Sequence, residues 1–197
     1  HPGYGLIAGG PPLPAQFSAI LTALARLDAL ANVGTVITGY LGAPDQVRPI
    51  LELLNAWQHD RSRYQHTGQL AGHYILDPVL GDNGSLYVDH SIVNLMRDHL
   101  LPMAQFITPN QFELGLLADA KITSIADAEG AARQLLERYP ALQGVIVTGV
   151  SDNAKNESNT KVYDRLITRS NDMTLAYEKR AVGIAGGGDL LTAMFAS

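Results

Sequence analysis

His73-Tyr74-Ile75-Leu76-Asp77 is a short, mostly apolar run that ends in an acid and is stopped by Pro78. It reads as a strand, because proline has no N–H to give to a ladder. Three other runs share its make. Gly34 to Thr38 and Gly144 to Thr148 are β-branched and apolar, and Gln105 to Thr108 is again stopped by a proline. Short apolar runs of this kind are strands covered on both faces.

Working outward, the segments between these runs carry helical periodicity. Phe17, Ile20, Leu21, Leu24 and Leu27 recur at three- and four-residue steps over Pro14 to Ala31. Val47, Ile50, Leu51 and Leu54 do the same from Pro44 to Trp57, and Ile92, Leu95, Met96 and Leu100 from Ser91 to Leu101. Asn110 to Leu117 and Ser124 to Tyr139 are also predicted helices. His59 to Gln69 is polar and is expected to turn at the surface, and Ser151 to Lys161, with its three asparagines, to form a mobile loop. Val162 to Thr168 and Met173 to Arg180 flank Ser170-Asn171-Asp172 as an antiparallel hairpin would. Gly183 to Asp189 is expected to form a glycine-rich loop that leads into a last helix. Strands alternating with helices predict an α/β fold with a mainly parallel central sheet and helices on both faces.

Composition narrows the function. A net charge of −5 argues against nucleic acid as the main partner, which would demand a basic face. The absence of cysteine excludes disulfides, thiolate metal sites and cysteine nucleophiles. No apolar run approaches the roughly 20 residues that span a bilayer, and no signal segment opens the sequence, so a cytoplasmic protein without a membrane partner is expected. The histidines at 1, 59, 66, 73, 90 and 99 show no paired metal spacing, and Walker A, Gly-x-Gly-x-x-Gly and Gly-x-Ser-x-Gly strings are missing.

Ligands of open α/β sheets bind beyond the carboxyl ends of the strands. Asp77 ends one strand and opens Asp77-Pro78-Val79-Leu80-Gly81-Asp82. Thr108 ends the next and opens Thr108-Pro109-Asn110-Gln111-Phe112-Glu113, and Thr148 ends a third. Gly186-Gly187-Gly188-Asp189 opens the final helix, where amides free of intrahelical partners form an anion site. Asp189 reads either as a helix cap or as a base beside that site. Asp77 and Asp82 are oxygen donors suited to magnesium, although Asp82 also fits a plain turn over Gly81 to Gly84. Asn110 and Glu113 have capping-box spacing. Tyr40, in Gly39-Tyr40-Leu41-Gly42, faces a flat ligand or packs at a strand end.

In this order, together with His1-Pro2-Gly3-Tyr4-Gly5, Gly84-Ser85-Leu86-Tyr87-Val88 and Val147-Thr148-Gly149, these strings resemble the pyridoxal kinases of the ribokinase-like superfamily. The resemblance implies ATP-dependent phosphorylation of the 5′-hydroxymethyl group of pyridoxal, with Mg2+ and a candidate monovalent cation. It implies Asp189 as catalytic base and the amides of Gly186, Gly187 and Gly188 as the anion hole. Thr108, Asn110, Thr148 and Tyr87 then belong to the ATP side, Tyr40 and His1 to the substrate side with Asp189, and Asp77, Asp82 and Glu113 to the metal. It also implies a homodimer, and residues 1–197 as a single domain lacking the family's first strand and its C-terminal end. Gly187 stands where the family usually has threonine or alanine, and Pro2 where threonine is frequent. Rival readings are a hydroxymethylpyrimidine (phosphate) kinase of the same superfamily, whose anion loop usually ends in cysteine rather than aspartate, a sugar kinase, and a binding protein that kept the fold without turnover.

Overall fold

The strand signals converge on one six-stranded sheet in the order β1-β2-β5-β6-β7-β8. The computed structural model describes residues 13–26, 30, 33–64, 72–151, 161–178 and 187–196. Its strands are β1 (Thr35–Thr38), β2 (His73–Leu76), β5 (Phe106–Ile107), β6 (Gly144–Ser151), β7 (Lys161–Thr168) and β8 (Asp172–Glu178), with a separate two-stranded hairpin of β3 (Gly81–Asp82) and β4 (Ser85–Leu86). The helices are α1 (Pro14–Ala25), α2 (Val47–Tyr64), α3 (His90–Leu95), α4 (Gln111–Ala118), α5 (Ile125–Arg138) and α6 (Gly187–Phe195). From β1 through β6 the pairing is parallel, and β7 and β8 add antiparallel strands at one edge. The mainly parallel α/β expectation holds.

Alternation along the strands sorts the two faces. Tyr74, Leu76, Ile107, Val145 and Val147 point into the main core with Trp57, Ile92, Leu114 and Leu135 of the helices α2 to α5. On the opposite face Phe106 meets Phe195 of α6 edge to face, with ring centroids 5.1 Å apart. Helices therefore cover both faces, and α6 lies across the middle of the sheet.

Several boundaries depart from the sequence reading. Helix α2 runs on through Tyr64, so the turn expected from His59 is helical in its first part; polar residues without Pro or Gly change which side faces water, not whether the helix continues. Helix α3 widens to a π turn over Met96–Leu100 and tightens to a 3-10 turn over Leu101–Met103. Pro102 supplies the reason, since its ring removes an N–H and clashes with the carbonyl of the preceding turn. Strand β6 continues past Thr148 to Ser151, with a register shift between Val147 and Val150. The turn expected at Gly81 to Gly84 exists and closes a hairpin, with Asn83 and Gly84 both at positive φ, 50° and 81°. That is the backbone an Asn-Gly hairpin turn requires. Of the loop expected at Ser151 to Lys161, residues 152–160 lie outside the described ones. Among the described residues no helix is long and apolar enough to cross a membrane.

Candidate functional site

The carboxyl ends of the parallel strands are tied together by their own backbones. Asp77 N–H donates to Thr38 O at 2.8 Å, Thr108 N–H to Leu76 O at 3.2 Å, and Thr148 N–H to Pro109 O at 3.0 Å. Asp77 and Thr108, each just beyond its own strand, thus hang from the neighbouring strand, and Thr148, within β6, hangs from the residue after Thr108. Residues separated by dozens of positions share one edge because the parallel register puts them there.

Three buried polar side chains meet at this edge. Thr192 of α6, 2% exposed, donates its hydroxyl proton to Asp77 Oδ2 at 3.1 Å, and its oxygen lies 2.9 Å from Thr108 Oγ1. Asp77 and Thr108 are themselves buried. Thr192 went unnoticed in the sequence, where a threonine in an apolar helical run looks like filler. Its only signal is that it follows the Gly-Gly-Gly-Asp string by one helical turn.

A second cluster is built on the start of α4. Asn110 caps this helix by accepting from Glu113 N–H, and Glu113 Oε2 accepts from Asn110 N–H, each at 2.9 Å. The capping box is therefore real, and it does more than cap. Glu113 Oε1 also accepts from Leu80 N–H at 2.9 Å and Gly81 N–H at 3.4 Å, while Asn110 Nδ2 donates to Gly81 O at 2.8 Å. Two side chains of α4 thereby hold the loop that leads from Asp77 to Asp82. Burial pushes the Glu113 carboxyl up to about 7, against the pull of the Asn110, Leu80 and Gly81 amides, and the charge of Asp77 adds to the rise. A Cβ on Gly81 would come within 2.2 Å of Ser85 O and 2.8 Å of the Phe112 ring, so glycine there is a packing requirement.

Asp82 is exposed and accepts from the backbone and side-chain amides of Asn83. Tyr87 stands close enough to these acids for its phenol to be raised by partial burial and by the charges of Asp82 and Glu113. Asp82, Asn110, Thr148 and Gly149 line a groove of about 1600 Å³ that reaches Tyr177 on β8. Tyr40 is 54% exposed just beyond β1.

The backbones of Gly187, Gly188 and Asp189 form the first turn of α6, and the Asp189 side chain lies outside the described part. His1 and Gly186 lie outside the described residues. Among the described residues no three His, Asp or Glu side chains gather closely enough to hold a metal ion by themselves. Asp77, Asp82 and Glu113 thus form no three-carboxylate cage. Glu113 has both oxygens on backbone amides, whereas Asp82 presents its carboxylate at the groove. A hard cation held by one or two carboxylates and by phosphate oxygens fits such a donor set.

Fold and edge together are those of the ribokinase-like class. Residues 61–197 match the family model for phosphomethylpyrimidine kinase, and the chain belongs to that family. Relatives that it resembles over most of its length include pyridoxal kinases. It is 32% identical over 193 residues, 98% of this chain, to the pyridoxine/pyridoxal/pyridoxamine kinase of Bordetella avium, and 30% identical over 77% of this chain to the pyridoxal kinase of Arabidopsis thaliana, of which it covers 45%. The pyridoxal kinase of Leishmania donovani, solved in complex with ADP and pyridoxamine, superposes with a TM-score of 0.84 at 26% identity over 98% of this chain. The chain spans 61% of the Bordetella relative and 63% of the Leishmania chain.

Proposed function

We propose that the protein transfers the γ-phosphoryl group of ATP to the 5′-hydroxymethyl oxygen of pyridoxal, and of the related vitamers pyridoxine and pyridoxamine. One observation carries this reading: the last helix, whose first turn is Gly187–Asp189, is fastened through Thr192 to Asp77 and Thr108 at the carboxyl edge of the sheet. Phosphoryl transfer asks of the protein mainly positioning and charge stabilisation. Such an edge can supply both.

In the proposed reaction Asp189 accepts the hydroxyl proton as the alcohol oxygen bonds to phosphorus and the bond from phosphorus to the ADP oxygen breaks. Amides of Gly186, Gly187 and Gly188 donate to the transferring oxygens, as free N–H groups at a helix start can. A Cβ on Gly188 would meet nothing within 4 Å, which leaves that backbone open to close approach. Asn110, Thr148 and Tyr87 face the nucleotide side, with Thr108 beneath them, and Tyr40 and His1 the vitamer side. Bound Mg2+ would neutralise phosphate oxygens, with Asp82 as the accessible carboxylate, and Asp77 and Glu113 shaping the loop that carries it. A monovalent cation beside it, a homodimer and a cytoplasmic setting belong to the same proposal.

The name of the matched family keeps a hydroxymethylpyrimidine kinase as the second reading. Release of ADP from Mg-ATP with pyridoxal, pyridoxine, pyridoxamine and hydroxymethylpyrimidine in turn separates the two. Turnover of the vitamers is expected, and Asp189→Asn is expected to lower kcat by roughly 10²–10⁴-fold, the range of a lost general base, with ATP binding intact. Turnover of the pyrimidine alone would transfer the assignment to the second reading, and indifference to all four alcohols would favour a binding protein.

A further inference from the structure

The Thr192 hydroxyl has one proton, and it goes to Asp77 Oδ2, because an ionised carboxylate can only accept. Toward Thr108, 2.9 Å away, Thr192 must then be the acceptor, so the Thr108 hydroxyl donates to it. The chain is polarised from Thr108 through Thr192 to Asp77. It runs across three elements, from the end of β5 through α6 to the end of β2, and all three side chains are buried. Threonine inside a helix commonly turns its hydroxyl back on the carbonyl one turn earlier. Here that hydroxyl is spent on the sheet instead.

Helix α6 also meets the sheet at its far end, where Phe195 packs edge to face on Phe106. At about 1.5 Å of rise per residue, Thr192 lies roughly 4.5 Å along the axis from position 189, and Phe195 roughly 9 Å. An apolar ring contact at the far end makes no directional demand on the rotation or axial setting of the first turn. The polar tie near it does.

We infer that Thr192 is a positioning residue: its hydroxyl, seated between Asp77 and Thr108, sets the first turn of α6 against the strand ends and leaves Thr108 with only lone pairs to offer the site. The catalytic consequence rests on the proposed phosphoryl transfer, whereas the positioning itself does not. Thr192→Val removes the hydroxyl and keeps the branched shape, and Thr192→Ser keeps the hydroxyl. Amide hydrogen exchange over residues 191–196, whose N–H groups bond back along α6, should quicken in the valine variant on the order of 10- to 100-fold, as for a lost hydrogen bond to a charged group. It should return toward the native rate in the serine variant, with exchange in β2 and β6 unchanged. In steady-state assays valine should lower kcat by about tenfold or more while KM for ATP moves less than about twofold, with serine restoring kcat. Equal exchange in the native and valine proteins, or equal quickening in valine and serine, overturns the inference. A native protein that phosphorylates none of the alcohols overturns the functional reading instead, and the exchange pattern still decides the positioning role. Thr192→Ala, which cannot overpack the site, puts the same question to exchange if the valine variant fails to fold.

Discussion

The two halves of the sheet are held in different ways. In the parallel half the strands are two to eight residues long, and Tyr74, Ile75, Leu76 and Ile107 are buried at 2% exposure or less. Their edge gathers Asp77, Thr108, Glu113 and Thr192 from four separate elements. In the antiparallel half, β7 pairs with β8 over an unbroken register from Lys161↔Glu178 to Ile167↔Asp172. All seven residues of β8 are exposed, Met173 at 69% and Leu175 at 63%. Charge joins packing in tying this half to the helices: Ile167 is buried in the main core, Arg165 reaches Glu129 at 3.0 Å, and Arg133 of α5 pairs with both Glu129 and Asp172. The first half needs distant parts of the chain to arrive together and yields a site. The second is built from neighbouring residues and yields a surface.

The contrast breaks most easily in the core. Leu76→Ala should destabilise the protein by about 2–5 kcal/mol, the usual cost of emptying a packed leucine site, and Leu175→Ala by less than about 0.5 kcal/mol. Urea unfolding of both variants measures the gap; equal midpoints would mean that β8 is covered in solution.

Gly81→Ala comes next, at about 1–3 kcal/mol, because the new methyl must displace Ser85 O and the Phe112 ring. The same unfolding curves report it. Loss of the Leu80 and Gly81 clamp should also quicken amide exchange over residues 79–86.

Titration should give the halves opposite signs. Glu113 rises from an ordinary value of 4.5 to about 7 in the fold, so its contribution is fully present below 4.5 and is lost as pH rises toward 7. The slope cannot exceed about 1.4 kcal/mol per pH unit, and Glu113→Gln should remove it. Hydrogen bonds from Arg165 and Arg133 hold Glu129 below its ordinary value, so its contribution is present above 4.5 and fades as pH falls through the depressed value. Stability measured from pH 3 to pH 8 in the native protein, Glu113→Gln and Glu129→Gln checks both signs. Smallest of all, Arg133→Ala should cost about 0.2–1 kcal/mol at low salt and less at high salt, as half-exposed ion pairs do.

Much of the fold was legible because its signals are local. Four apolar runs stopped by prolines, acids or glycines became β1, β2, β5 and β6, and the Asn171 turn became the β7–β8 hairpin. The end of α2 was missed because the polarity of His59 to Arg63 was read as a break, when polar residues without Pro or Gly leave the helical backbone free to continue. The Asn110–Glu113 spacing gave the capping box, but nothing in that spacing told of Leu80 and Gly81, more than thirty positions earlier in the chain. Thr192 offered no signal of its own, since its partners are 84 and 115 positions away.

Taken alone, the order of residues determined the strands and helices, the parallel character of the sheet and the candidates that crowd its carboxyl edge, because periodicity, proline and glycine act over a few residues. Only the folded chain decided which candidates touch: that Glu113 spends both oxygens on backbone amides, that Asp82 stays at the groove, and that Thr192 joins Asp77 to Thr108. Those pairings depend on strand register and on where a helix crosses the sheet, and burial makes each unpaired polar atom costly enough to fix them.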